Sequence, residues 1–336
     1  MTAPLMPSPD LYFETAFAYQ RTAALRAAVD LDVFTAIGEG AETVATLARR
    51  CAASERGIRV LCDYLTIIGL LDKTGERYQL TPSSAAFLTK TSPAYLGGTL
   101  AFLASPYVAH NFEVLTATVR RGTIAPESNT VAGYEQEHWV NFARAMTPMM
   151  MPGAMGIADI LQIGSAGPVR VLDIAAGHGI FGIVLAQRNP QVEVVAVDWP
   201  GVLSVATDNA QKMGVQDRHR TLPGDAFKVD YGTGYDIALL TNFLHHYDVP
   251  TNTTLLRKVA AALKPGGKAV MLEFVPNDDR VTPPMAAAFS LTMLAGTPAG
   301  DAYTLAELRQ MSMEAGFSSV TGHALPMPET VVVATK

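Results

Sequence analysis

The stretch Val169 to Phe181 limits the folds open to this chain more than any other. It reads Val-Arg-Val-Leu-Asp-Ile-Ala-Ala-Gly-His-Gly-Ile-Phe. Gly164, Gly167 and Pro168 break the chain before it. Val169, Val171, Leu172 and Ile174 then form an apolar, β-branched run, which reads as a strand. Ala175, Ala176, Gly177 and Gly179 are all small, so the backbone can turn sharply and lie against a ligand. Ile180 to Gln187 reads as a helix, which places the turn at a helix N-terminus. A second apolar strand, Val192 to Val197, ends in Asp198. Strand, glycine turn, helix, strand and acid make a nucleotide-binding βαβ unit.

Two classes of cofactor use such a unit. Gly177, Gly179 and Gly182 fit G-x-G-x-x-G, and Asp198 stands near the ~20-residue spacing of a ribose-binding acid. That pattern also occurs in dinucleotide folds. Asp173 weighs against one: a carboxylate at the end of the first strand repels an anionic pyrophosphate and suits a cofactor that carries an ammonium group and no phosphate. The residue therefore favours S-adenosylmethionine over a nicotinamide.

Later segments point the same way. Gly224-Asp225-Ala226-Phe227 follows a short strand-like segment and offers a carboxylate and an aromatic ring for an adenine. A helix over Thr254 to Leu263 turns through Lys264-Pro265-Gly266-Gly267 into a strand, Ala269 to Val275. Gly316 to Ala334 holds two β-rich segments split by Pro326 and Pro328, which suits a closing hairpin. On these residues the chain resembles the class I S-adenosylmethionine-dependent methyltransferases. Within them it is similar to the small-molecule O-methyltransferases of the plant caffeate and acetylserotonin type and their bacterial relatives. The resemblance covers nearly the whole chain. It implies a Rossmann-like, doubly wound α/β sheet behind an all-α, winged-helix dimerisation domain.

Composition agrees with two domains, expected at residues 1–165 and 166–336. The 336-residue chain is 49% hydrophobic and only 17% charged, enough apolar material for large cores. A net charge of −6 opposes a nucleic-acid partner or an anionic membrane surface. Met1 to Asp10 has three prolines and no basic segment, unlike a signal peptide, and no apolar run reaches the ~18 residues of a membrane span. Cys51 and Cys62 lack metal-ligand spacing and read as reduced core thiols of a cytoplasmic protein.

The N-terminal half reads as helical. Leu11 to Val29 has apolar residues at helical spacing, Thr43 to Cys51 a shorter helix, and Ser54 opens another that runs to Gly69. Leu70 to Leu80 reads as a hairpin turning at Thr74-Gly75. Helix-turn-helix plus hairpin is a winged helix, a shape many DNA-binding proteins share. Its second helix carries Glu55, Arg56, Arg59 and Asp63, which is not a basic recognition face. The resemblance implies a homodimerisation module that also lines the substrate pocket. Leu11, Tyr12, Phe13, Phe17, Tyr19 and Leu25 are more apolar surface than an isolated helix should show water.

The reacting group is expected in Thr241-Asn-Phe-Leu-His-His-Tyr-Asp, beyond a strand over Ile237 to Thr241, the fourth of the parallel sheet. The family commonly reads Leu-His-Asp-Trp here, with the histidine as general base. Leu244-His245 matches the first two positions; His246 and Tyr247 depart from the others. The resemblance assigns the base to His245, with His246 as the alternative. It assigns the orienting carboxylate to Glu273, and a further acid to the neighbourhood of Asp301, one position out of register. A phenol of pKa ~10 is protonated at neutral pH, and a histidine near ~6.5 can take its proton. No metal is needed, because the sulfonium already activates the methyl group.

The cofactor is expected on Asp173, Gly177, Gly179, Asp198, Asp225 and Phe227. The acceptor is expected between the domains, lined by Met146 and Met149 with Tyr107, His110 and Phe112 opposite, and by a helix over Met285 to Met293. Such a lining fits a flat, mostly apolar acceptor. Methylation of nitrogen or carbon on the same fold stays open. A nicotinamide oxidoreductase is the more distant alternative.

Overall fold

The structure, a computed structural model, describes residues 7–125 and 136–336. Of the N-terminal segment read above as unlike a signal peptide, residues 1–6 lie outside the described ones. The chain forms two compact units, Met1–Ser105 and Pro106–Lys336.

The first unit contains helices α1 (Asp10–Ala16), α2 (Ala18–Asp30), α3 (Val33–Gly38), α4 (Val44–Arg50) and α5 (Glu55–Ile67). Strands β1 (Leu71–Thr74) and β2 (Arg77–Leu80) follow, then α6 (Pro82–Phe87) and α7 (Leu100–Leu103). The helix expected from Leu11 to Val29 is two helices, parted at Phe17, whose ψ of 3° leaves helical geometry. Thr43 and Thr46 form a capping box at the start of α4. Ser54 Oγ accepts the Gly57 N–H at the start of α5, which satisfies donors that have no partner within the helix. Ile58, Cys62 and Leu65, spaced four and three apart, face a core shared with Phe34, Leu47 and Tyr78. β1 and β2 pair antiparallel. On α5, Asp63 takes Arg59, Lys73 and the Tyr78 hydroxyl, so its charges are spent on one another.

The second unit opens with α8 (Pro106–Glu113), α9 (Leu115–Arg121) and α10 (Gln136–Ile160). Its sheet comprises β3 (Val169–Ile174), β4 (Val192–Asp198), β5 (His219–Pro223), β6 (Tyr235–Thr241), β7 (Leu263–Phe274), β8 (Ser319–Ala324) and β9 (Glu329–Thr335). The helices between are α11 (Ile180–Arg188), α12 (Pro200–Lys212), α13 (Val249–Ala262), α14 (Pro284–Gly296) and α15 (Leu305–Glu314). Residues 106–165 thus sit in this unit, where α10 packs on α11 and α12.

Strand order is β5-β4-β3-β6-β7-β9-β8. The first five are parallel; β9 runs antiparallel to β7, and β8 to β9. The closing hairpin read from the tail is therefore β8–β9. Leu172, Ile174, Leu240, Val270 and Met271 are fully buried, as expected of strands with helices on both faces. α13 starts at Val249, five residues before the expected start. Asp248 caps it by accepting the Thr251 N–H at 2.9 Å, and Pro250 occupies its first turn, where no backbone donor is needed. Strand order reverses between β3 and β6, and ligands of such sheets gather at the carboxyl ends of the strands flanking that point.

Candidate active site

The turn after β3 is shaped by close approach. Gly179 has φ +73°, and a Cβ there would lie 2.8 Å from the Ala206 Cβ on α12. A Cβ on Gly182 would meet Val194 Cγ1 at 2.7 Å and Asp173 Oδ2 at 2.9 Å, so any larger residue would lift α11 off the sheet. Ala175 and Asn242, at the ends of the adjacent strands β3 and β6, both hold φ of +53°. Such backbone is strained for non-glycine residues, and strain of this kind gathers at functional sites.

A cleft opens over these strand ends. Its wall includes Ala175, Ala176, Gly177 and His178 from the turn, Asp198 and Trp199 after β4, and Gly224 to Phe227 after β5. Asp198 Oδ2 accepts the Gly177 N–H at 2.8 Å, and Oδ1 accepts the Trp199 N–H at 2.7 Å. Surrounding protein raises its carboxyl to about 6. Asp225 Oδ1 accepts the Phe227 N–H at 2.9 Å. The Phe227 ring packs edge-on to Tyr247 with centroids 4.8 Å apart. Burial lowers the His178 imidazole to about 4, so it is neutral.

Asp173 sits beneath the turn instead of in the cleft wall. It is fully buried; Oδ2 accepts the Gly182 N–H at 3.2 Å, and Oδ1 has no partner. Burial, with Asp198 adding to it, pushes its carboxyl up to about 8. Gly179 likewise shapes the turn without lining the cleft. An unpartnered buried carboxylate oxygen behind a glycine turn suits a ligand with a cationic group, and a neighbouring cation would draw its proton off. The residues therefore fit S-adenosylmethionine and fit a pyrophosphate poorly.

At the end of β6, Phe243, Leu244 and His245 wrap around one carboxylate. Glu273, on β7, is 2% exposed and His245 is 5% exposed. Glu273 Oε1 accepts the Phe243 N–H at 3.0 Å and the Leu244 N–H at 2.8 Å. Its Oε2 lies 2.5 Å from His245 Nδ1. Strands β6 and β7 are adjacent and parallel, so Glu273 near the end of β7 meets the residues just past the end of β6. The Phe289 ring of α14 stands edge-on to His245 at 4.9 Å and stacks on Phe274 at 4.0 Å.

Other expected residues lie elsewhere. The Asp301 carboxylate pairs with Arg280 at 3.1 Å and accepts the Ala302 N–H at 2.8 Å. Arg280 also holds Glu307, so Asp301 belongs to a clamp between the loop after β7 and the start of α15. Met146 is buried and Met149 half-buried, but neither lines the cleft; Met150 does. One residue along a helix is a rotation of about 100°, which decides the matter. His110 is exposed beside Glu113, and Tyr107 is half-buried on α8; neither is in the cleft wall.

The cleft also uses residues that sequence reasoning passed over. Trp139, Phe142 and Met150 come from α10, Trp199 follows Asp198, and Asn242, Phe243 and Tyr247 follow β6; of the two candidate bases, His246 lines the cleft and His245 does not. The left-handed backbone at Asn242 has no sequence signal beyond the tolerance of asparagine for it. Among the described residues, no three His, Cys, Asp or Glu side chains gather as metal ligands would. Nor is any described helix long and apolar enough to cross a membrane.

A doubly wound sheet with a glycine cradle, a ribose-spaced acid and a carboxylate-held histidine defines a cofactor-dependent group-transfer site. Residues 142–318, more than half of the chain, match the O-methyltransferase domain, and residues 13–90 match the O-methyltransferase dimerisation domain. The chain is similar to a 3-hydroxy-5-methyl-1-naphthoate 3-O-methyltransferase of Streptomyces sahachiroi, at 29% identity over 95% of this chain and 92% of that one. It is also similar to the tetracenomycin polyketide synthesis 8-O-methyl transferase TcmO of Streptomyces glaucescens, at 26% identity over 98% and 97%. A crystal structure from Nostoc punctiforme PCC 73102, assigned to the O-methyltransferases, superposes with a TM-score of 0.93 at 51% identity, over 98% of this chain and 100% of that one. The chain belongs to the O-methyltransferase family, whose enzymes take their methyl group from S-adenosylmethionine.

Proposed function

We propose that the chain moves the methyl group of S-adenosylmethionine to a hydroxyl of a small, flat, mostly apolar aromatic acceptor, with His245 as general base. The observation that carries this reading is the 2.5 Å contact between His245 Nδ1 and Glu273 Oε2, next to Asn242, Phe243 and His246 of the cleft wall.

The Glu273 carboxylate keeps a proton on Nδ1, which leaves the Nε2 lone pair to take the proton of an acceptor hydroxyl. S-adenosylmethionine supplies a methyl group on a positively charged sulfur that leaves as a neutral thioether. Asp198 holds the ribose hydroxyls, and Gly177 brings backbone close to the cofactor. Asp225 and Phe227 flank the adenine. Asp173 acts from beneath the turn, its charge favouring the ammonium end. Proton removal by a positioned base is typically worth ~10²–10⁴-fold. The walls of Trp139, Phe142, Met150 and Phe243 exclude water and offer no cation to a substrate carboxylate or phosphate.

The test is product analysis. Phenols, hydroxyindoles, amines, sugars and nucleotides are incubated with S-adenosylmethionine carrying a labelled methyl group. The label should appear on the oxygen of an aromatic hydroxyl. Label found only on nitrogen or carbon, or only in sugars or nucleotides, contradicts the reading.

The active form is a homodimer on the same reading. Leu11 is 75% exposed, Tyr12 70% and Tyr19 67% on α1 and α2, inside or beside the matched dimerisation segment. A two-fold interface would cover that surface. Deletion of residues 1–30 should cause aggregation or loss of activity; a well-behaved full-length monomer at micromolar concentration, by light scattering, counts against it.

A further inference from the structure

One wall of the cleft, Gly224 to Phe227, belongs to the loop between β5 and β6. The loop closes on itself through Asp225. The Asp225 carbonyl accepts the N–H groups of Lys228 and Val229 at 2.9 and 2.8 Å, and its carboxylate accepts the Phe227 N–H. The Gly224 N–H donates to the Asp198 carbonyl at 2.9 Å, which ties the start of the loop to β4. None of these bonds fastens the middle of the loop to the helices beside it.

The Ala226 carbonyl does. Lys258 Nζ, on α13, donates to it at 2.9 Å, and the Tyr231 hydroxyl donates to it as well. A carbonyl oxygen has two lone pairs, so both are taken up. The two donors also hold each other. The Lys258 ammonium stands over the Tyr231 ring, 4.1 Å from its centroid, an attraction that strengthens away from water. Burial raises the Tyr231 hydroxyl above the usual tyrosine value, so it keeps the hydrogen it donates. A lysine on a helix ordinarily keeps its head in water. Lys258 instead ends half-buried on one loop carbonyl, where burial lowers its amine below the ordinary value. Lys228 is the contrast: it pairs with Asp225 at 3.2 Å on the same loop, but its side chain is 84% exposed, and such a pair contributes little.

We propose that Lys258 is a positioning residue for the cofactor: with Tyr231 it pins the Ala226 carbonyl and so holds the adenine wall of the cleft in its binding shape before the cofactor arrives. Its printed contacts are with the loop and not with the cleft itself. The proposal rests on the reading that Asp225 and Phe227 flank the adenine. A wall already ordered loses less freedom on binding, and affinity is gained without a new contact. Without the latch the cofactor must order the wall itself, so its affinity falls while the reacting atoms are undisturbed.

Two variants test this. Lys258→Met keeps a long stem over the Tyr231 ring and removes the charge and the donor. Tyr231→Phe keeps the ring and removes the other donor. By calorimetry, S-adenosylhomocysteine should bind about tenfold more weakly to Lys258→Met and about threefold more weakly to Tyr231→Phe. On a phenol that wild type methylates, Lys258→Met should raise the KM for S-adenosylmethionine by about tenfold, with kcat and the KM for the phenol within about twofold of wild type. Unchanged affinity in both variants overturns the proposal. So does a Lys258→Met that loses kcat at saturating cofactor and keeps its affinity.

Hydrogen exchange in the free protein reads the latch without any reaction. The amides of Phe227, Lys228 and Val229 should exchange faster in Lys258→Met, while those of β3 and β6 stay as in wild type. Exchange that quickens equally throughout the sheet shows a general loss of stability and overturns the proposal. If Lys258→Met does not fold, the same measurements on Tyr231→Phe decide. Phe227→Ala separates this proposal from the reading beneath it. If it weakens S-adenosylhomocysteine binding and neither latch variant does, the latch fails and the placement of the adenine stands. If it leaves binding unchanged, the adenine lies elsewhere and the proposal falls with that placement.

Discussion

One carboxylate, that of Glu273, ties the backbone after β6 and the imidazole it carries into a single unit. Its Oε1 accepts the N–H groups of Phe243 and Leu244, and its Oε2 lies 2.5 Å from His245 Nδ1. The same side chain sets where the histidine stands and which of its nitrogens is free. Glu273→Gln keeps an oxygen for the two backbone donors but removes the charge that holds the Nδ1 proton. Turnover should fall by ~100-fold or more while the fold is retained, as when the orienting acid of a catalytic triad is made neutral. Glu273→Ala also strands the two backbone donors, at ~1–3 kcal/mol each. Its melting temperature should drop clearly below that of Glu273→Gln. Equal melting temperatures would show that the carboxylate does not organise the loop.

Asp198 ends β4 in the cleft wall, with its two oxygens on the N–H groups of Gly177 and Trp199. On the proposed placement of the cofactor, Asp198→Ala removes a partner for the ribose hydroxyls, and it frees the glycine turn. S-adenosylhomocysteine should bind at least tenfold more weakly by calorimetry, since each lost partner costs ~1–3 kcal/mol. Unchanged affinity would move the ribose away from Asp198.

Asp173 gives a pH signature. Its carboxyl is raised to about 8 by burial, so the folded protein keeps a proton that the unfolded chain releases at its ordinary, lower value. The stability contributed by that proton is fully present below the unfolded value and is lost as pH rises through about 8. Asp173→Asn cannot ionise. Between pH 5 and pH 9 it should lose less melting temperature than wild type. A cationic ligand favours the carboxylate, so binding of S-adenosylhomocysteine should release a proton and tighten as pH rises from about 6 to about 8. Calorimetry in buffers of different ionisation enthalpy reads that proton. No release in wild type, or equal release in Asp173→Asn, contradicts the assignment.

The βαβ unit was legible in the sequence because strand, glycine turn, helix, strand and acid lie within some thirty consecutive residues, from Val169 to Asp198. Local chemistry determines each piece. His245 and Glu273 were legible for a related reason: both stand at ends of neighbouring parallel strands. What escaped depends on rotation and tertiary context. Periodicity marks α10 as apolar but does not say that Met150, and not Met146 or Met149, turns to the cleft. The break at Phe17 has no glycine or proline to announce it. Asp301 was expected near the histidine, yet Arg280, twenty-one residues earlier in the chain, is its partner. That pairing depends on a loop conformation no local pattern specifies. The early start of α13 did have a signal, an aspartate cap with proline in the first turn.

The most direct test of the account is the rate of His245→Ala on two phenols of different acidity. One is ordinary and protonated at neutral pH; the other is acidic enough to be ionised there. A general base matters only when there is a proton to remove. On the ordinary phenol, His245→Ala should lose ~10²-fold or more in kcat with little change in cofactor affinity. On the ionised phenol it should approach the wild-type rate. An equal loss on both phenols, or a mild effect on both, would contradict the role of His245 as the base that activates the acceptor hydroxyl.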